Sequence, residues 1–227
     1  MNLQKTALRE LLGLLLMTAL LFAGWDSLIV LPLKLLVVFF HESAHALMTL
    51  ATGGQIVSLS IVPEQGGLVQ SRGGHRFLIL SAGYLGSLLL GLGIFWLSVR
   101  TAYDRWLIGL CGALLVVLTL FYGDSGFTYL FGLSTGLILL VSAYALNERF
   151  NDILARVIGL SNLLYVPLDI YQDTLLNHQA RSDAAMLAEE FGGHVWLWGG
   201  VWLAVSLLLI YQVLKSLLRE LRTRVSE

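Results

Sequence analysis

The chain has 227 residues, of which 57% are hydrophobic and only 13% charged, with a mean hydropathy of +0.78. A soluble domain carries about 25% charged residues, so the composition excludes a soluble globular protein, and its wealth of large apolar residues excludes intrinsic disorder. The formal net charge of −1 leaves no electrostatic footprint for nucleic acid, and the single cysteine, Cys111, excludes both an internal disulfide framework and a cysteine-built zinc site.

A helix needs about 20 apolar residues to cross a bilayer. The first such run, 11–25, follows Lys5, Arg9 and Glu10. It reads as a retained helix, because Leu21 stands where a cleaved signal peptide wants a small residue. The second region, 27–50, is apolar apart from Lys34 and a polar cluster at 41–45. Residues 51–75 are polar and rich in glycine. Within them QIVSLSIV and GGLVQS read as two short strands, a β-hairpin at the membrane surface or dipping into it. Runs 77–99, 106–123, 125–147 and 191–214 contain no Asp, Glu, Lys or Arg, and 157–176 is apolar apart from Asp169 and Asp173. Residues 177–190 read as a polar, amphipathic connection, and 215–227 as a basic tail with Lys215, Arg219, Arg222 and Arg224.

Long unbroken runs rather than alternation exclude a β-barrel. Lipid then leaves helices as the way to satisfy the backbone. The expected fold is an all-α polytopic membrane protein, one domain over 1–227. It is a bundle of six or seven transmembrane helices with a small β-hairpin between the second and third. Lys5 and Arg9 favour a cytoplasmic N-terminus and the basic tail a cytoplasmic C-terminus. Six or eight spans satisfy both signals; seven do so only if one segment is re-entrant.

The chemistry lies in His-Glu-Ser-Ala-His at 41–45, inside the apolar stretch LLVVFFHESAHALMTLA. His41 and His45 are four apart and so share one helix face, the spacing with which two imidazoles hold one zinc ion. Glu42 stands beside them, placed to take a proton from a zinc-activated water and hand it to a leaving amide nitrogen. Composition alone would produce this pattern in roughly 0.004 of such chains. The plain structural reading is a polar patch packed inside a helix bundle. Ionisable groups at membrane depth are costly enough that three together point to function.

A hydrolytic zinc site wants three protein ligands. Candidates for the third are Asp169, Asp173, His75, His178, His194 and Asp124. Asp169 and Asp173 are four apart, share a face and lie in or at the end of a membrane segment, where a carboxylate needs a partner. The three histidines lie in loops or at their edges, and Asp124 sits in an interfacial turn.

These residues resemble the site-2 protease family of intramembrane zinc metalloproteases, in its compact bacterial-type branch. HESAH at 41–45 is similar to that family's HExxH on a membrane helix. SNLLYVPLD at 161–169 resembles its second motif, an Asn- and Pro-containing stretch ending in Leu-Asp-Gly. SAGYLGS at 81–87 resembles its small-residue motif, and 51–75 occupies the place of a hairpin that presents extended substrate. The resemblance covers roughly residues 28–176. It implies Asp169 as third ligand and Asn162 as a residue that positions substrate backbone. Ile170 stands where the family has Gly, which keeps Asp173 as an alternative ligand. Tyr84 replaces a Pro and Ser87 stands at a possible Asn position. The spans 106–123 and 125–147 separate the small-residue motif from the Asp motif, where many members have fewer.

The implied protein is an intramembrane zinc metalloprotease that cuts membrane proteins within or near their transmembrane helices, in a prokaryotic plasma membrane. Its partners are the lipid bilayer, a transmembrane protein substrate and a regulatory membrane partner. The alternatives are a catalytically silent membrane scaffold and a metal-binding or metal-transporting membrane protein. GDSG at 123–126 lies between two spans and is read as a turn rather than a nucleophile site.

Overall fold

The computed structural model describes residues 2–25, 27–176 and 182–226, and it does not describe the side chains of 2–11, 175, 218 or 220–226. Lys5, Arg9, Arg222 and Arg224 of the orientation argument, and His178 among the candidate ligands, therefore fall outside what is described. Eight helices and one hairpin follow in chain order: α1 (Asn2–Ala23), α2 (Leu31–Ala51), β1 (Gln55–Val62), β2 (Gly66–Arg72), α3 (Arg76–Arg100), α4 (Asp104–Tyr122), α5 (Gly126–Ala145), α6 (Glu148–Tyr171), α7 (Asp183–Phe191) and α8 (Val195–Ser226).

Six helices, α2 to α6 and α8, are long and apolar enough to cross a membrane. The described apolar stretch of α1, Leu12–Ala23, falls short of a full span. Helix α6 begins well before the apolar run that announces it. Its polar first turns are held by the Asn147 cap, whose Oδ1 accepts from Phe150 N–H, and by the Arg156–Asp152 pair one turn apart at 2.6 Å. Pro167 removes one backbone donor near the other end of α6. There the helix passes into a wider π-helical turn, Gln172–Leu176, which carries Asp173.

Helix α2 is the centre of the bundle: 67% of its span is buried, against 17% for α8. Helix α3 lies between α2 and α6, and omitted side chains set the closeness. Gly86 backs onto Ala44 of α2, Gly91 onto Asn162 and Gly159 onto the backbone of Phe95. Small residues let membrane helices approach and gain dispersion contact. Helices α4 and α5 form a second tight pair through Gly112 and Gly136, where a β-carbon on Gly112 would lie 2.7 Å from the Gly136 carbonyl oxygen.

The hairpin strands are antiparallel with Leu59 opposite Val69 and Ile61 opposite Gly67. Leu59 and Ile61 are fully buried. Strict alternation would next bury Val57, but Ile56 is buried instead and Val57 exposed. An irregularity in the register between Ile56 and Ser58 shifts the phase by one residue. Gln65, with φ of 66°, makes the left-handed step of the turn.

Candidate metal and active site

Helical spacing on α2 sets His41 and His45 one turn apart, and their Nε2 atoms face each other at 3.0 Å. Asp183, the first residue of α7, closes the triangle: its Oδ2 lies 3.1 Å from both Nε2 atoms. Among the described residues this is the set of three whose ligand atoms all lie within 4.8 Å of one another. Tetrahedral zinc ligands at about 2.0–2.1 Å from the ion stand about 3.3 Å apart. The triangle is thus of zinc size, and its donor set, two imidazoles and a carboxylate, is of zinc type.

Each of these candidate ligands is held by something else. His45 Nδ1 lies 2.7 Å from the Ile79 carbonyl oxygen. A carbonyl only accepts, so Nδ1 carries the proton and Nε2 presents its lone pair. His41 is steadied by a ring instead: Tyr84 packs edge-on against it with centroids 4.6 Å apart. Asp183 is placed by the docking of α7. Ser182 caps that helix by accepting from Ala185 N–H, and Ala184, Ala185 and Leu187 are buried. Glu190 accepts from Arg76 Nε at 2.9 Å, and Phe191 meets Phe77 edge to face. Without a metal, burial works against an ionised Asp183, yet protonated imidazoles, His45 foremost, outweigh it and hold the carboxyl well below its ordinary range; a bound cation would take over that charge and leave each Nε2 lone pair free to coordinate. The ionised carboxylate is the form that binds a cation.

Gly83 of α3 supplies the space. A β-carbon there would fall inside van der Waals contact of both Nε2 atoms, where a metal must sit to reach them. The two imidazoles, Asp183 and this omitted side chain fit a zinc ion. Gly83→Ala should therefore weaken zinc binding by at least about 10–100-fold, the range seen when the surroundings of a metal site are disturbed. Metal analysis after dialysis reads the loss, and unchanged circular dichroism shows that the helices persist. An alanine variant that keeps its zinc would place the ion elsewhere.

Glu42 is buried and turned toward β2, where the Val69 backbone N–H faces its carboxylate. Gly67 has no side chain where one would strike that carboxylate. The two imidazoles, Glu42, Asp183 and the length of β2 from Gly66 to Ser71 line one cavity of about 580 Å³.

Asp169 and Asp173 line the same cavity, but the triangle is closed by Asp183 and not by either of them. Asp173 is engaged elsewhere: its Oδ2 accepts from the Tyr84 hydroxyl at 2.6 Å. The structure does not bring Asn162 to the cavity. It is fully buried against Gly91, its Nδ2 donating to the Ile158 carbonyl and its Oδ1 without a partner. It stands seven residues before Asp169, about 10 Å along the helix. His75, His194 and Asp124 are exposed at helix boundaries and line no part of the cavity.

A family model described as Peptidase M50B-like matches residues 14–213. The chain belongs to the site-2 protease family. That match reaches through α7 into α8, so it takes in Asp183, which lies beyond the core expected at 28–176. Membership and the six apolar helices together make this peptidase-family chain an integral membrane protein. No curated protein and no solved structure matches the chain.

Proposed function

We propose that this protein is an intramembrane zinc metalloprotease, hydrolysing peptide bonds of membrane proteins within or near their transmembrane helices. The observation that carries the reading is the triangle of His41, His45 and Asp183 with Glu42 beside it, in a cavity walled by β2. Bound zinc supplies Lewis acidity and makes water acidic enough to attack at neutral pH. His41, His45 and Asp183 hold the ion. Glu42 takes the proton of the attacking water on its carboxylate and returns it to the leaving amide nitrogen.

The wall of β2 supports the choice of substrate. Leu59 and Ile61 turn their backbone groups away from β2, toward Gly123 and Thr128. Their partners Val69 and Gly67 therefore turn theirs away from β1, into the cavity. The Val69 N–H, which faces Glu42, agrees with that direction. A substrate helix must unwind before its amide can be cut, and in lipid its freed backbone groups need partners. The edge at Gly67 and Val69 offers them beside the base, by strand addition.

The test is reconstitution of zinc-loaded protein in liposomes with a panel of single-pass membrane proteins. Cleavage in or next to the transmembrane helix, lost on chelation and restored by zinc, is the expected result. Full cleavage after complete removal of zinc would refute the mechanism.

A further inference from the structure

Helices α4 and α5 contribute no side chain to the cavity. Besides the packing of α4 against α6, they meet the other edge of the hairpin. Leu59 forms a parallel bridge with Gly123, which begins the α4–α5 connection. Two residues on, Ile61 N–H donates to the Thr128 hydroxyl at 2.9 Å, and that hydroxyl in turn faces the Ile61 carbonyl oxygen at 3.4 Å. One threonine side chain thus meets both backbone groups of Ile61, as a neighbouring strand would.

The clamp is itself fixed. Ser125 Oγ lies 2.7 Å from Thr128 Oγ1 and accepts from Thr128 N–H, capping α5. Thr128, Leu59 and Ile61 are fully buried. Gly123 has no room for a side chain, since a β-carbon would lie 2.6 Å from the Thr119 carbonyl oxygen. The contacts between Gly112 and Gly136 lock the two helices that carry the connection. A lone two-stranded hairpin is marginal at best; this one has a third partner that is not a strand.

We propose that the α4–α5 connection closes the outer edge of β1, so that an extended polypeptide can add only to β2, and that Thr128 is the positioning residue that holds β2 over Glu42. The inference rests on the strand-addition reading above. On this view the two extra helices fix the register between the substrate-binding edge and the base. Without the clamp the hairpin rocks, and each docking event must also order it.

The experiment uses the full chain in detergent, loaded with zinc, and fluorescein-labelled β-casein as an unstructured probe. Thr128→Val keeps the shape and removes the hydroxyl; Thr128→Ser keeps the hydroxyl. In the valine variant, hydrogen exchange at the Ile61 amide speeds up, and the KM for casein rises about 3- to 10-fold, the equivalent of one lost hydrogen bond. kcat and zinc content stay within a factor of about two. Serine restores both KM and exchange. Gly123→Ala, which pushes the connection off β1 without touching Thr128, raises KM in the same way and serves if the valine variant loses zinc. Faster exchange at Ile61 with an unchanged KM overturns the proposal, because the clamp then supports the fold alone. If the wild-type protein cleaves no casein, the protease reading is what fails. Casein affinity of the zinc-loaded Glu42→Gln protein, with and without Thr128→Val, then decides the clamp: weaker binding supports it and equal binding overturns it.

Discussion

Asp183→Ala should leave the protein without zinc. The wild-type chain is expected to hold about one ion, and the alanine variant to lose it on dialysis against a weak chelator. The loss in affinity should exceed the 10–100-fold or so that follows from disturbing the groups behind a metal ligand. Two imidazoles alone do not make a hydrolytic zinc site. The geometry also separates this carboxylate from its neighbours. Asp183 Oδ2 touches both Nε2 atoms, whereas Asp173 is bonded to the Tyr84 hydroxyl and Asp169 stands outside the triangle. Asp169→Ala and Asp173→Ala are therefore expected to keep the metal. Metal stoichiometry on the three variants, with circular dichroism as the control for folding, tests this directly. Zinc lost with Asp169 and kept without Asp183 would mean that α6, not α7, supplies the third ligand.

Glu42→Gln separates binding from chemistry. The amide has the shape of the carboxylate and can keep a carbonyl oxygen toward the Val69 N–H, but it cannot take a proton. Zinc content should stay at the wild-type level while cleavage of a membrane substrate falls about 10²–10⁴-fold, the usual worth of a positioned acid–base group. Glu42→Asp keeps the proton acceptor but draws it back by one methylene from Val69 and the cavity, and is expected to fall between the two. Undiminished cleavage by the glutamine variant would remove Glu42 from the mechanism.

The hairpin and the two histidines were legible because their signals are local. Glycine pairs bracket the strands, and the spacing of His41 and His45 is a property of one helix. Asp183 was not legible. Its partner His41 is 142 residues away, and it begins a stretch whose charges look like an ordinary solvated connection. The one local sign was Ser182 followed by an acid and two alanines, which is a helix start with a small buried face. The start of α6 was obscured for a related reason. Glu148, Arg149, Asp152 and Arg156 depress its hydropathy, although a cap and an ion pair one turn apart support it as helix. The motif reading pointed to Asn162 and Asp169, and it could not see that Gly91 draws Asn162 into the contact between α3 and α6. Nor could it foresee what Tyr84, read there in place of a proline, does in the fold: it packs on His41 and is tied to Asp173.

The centrality of α2 has a consequence for how the protein is made. It has the lowest hydropathy of the six candidate spans, 1.3, and α3 has the highest, 2.0. The cause is Lys34 together with the cluster of His41, Glu42 and His45, since an ionised side chain at mid-helix opposes insertion by about 2.5–3.5 kcal/mol. On leaving the ribosome α2 is a poor candidate to enter lipid by itself. Forty-odd residues later α3 arrives, strongly apolar and shaped by Gly83 and Gly86 to lie against it. Entry of the two as a pair gives the polar cluster a protein surface to face from the outset. The polar cluster thus makes the second helix depend on the third for its place in the bilayer, and biogenesis becomes an early check on the same packing that shapes the candidate metal site.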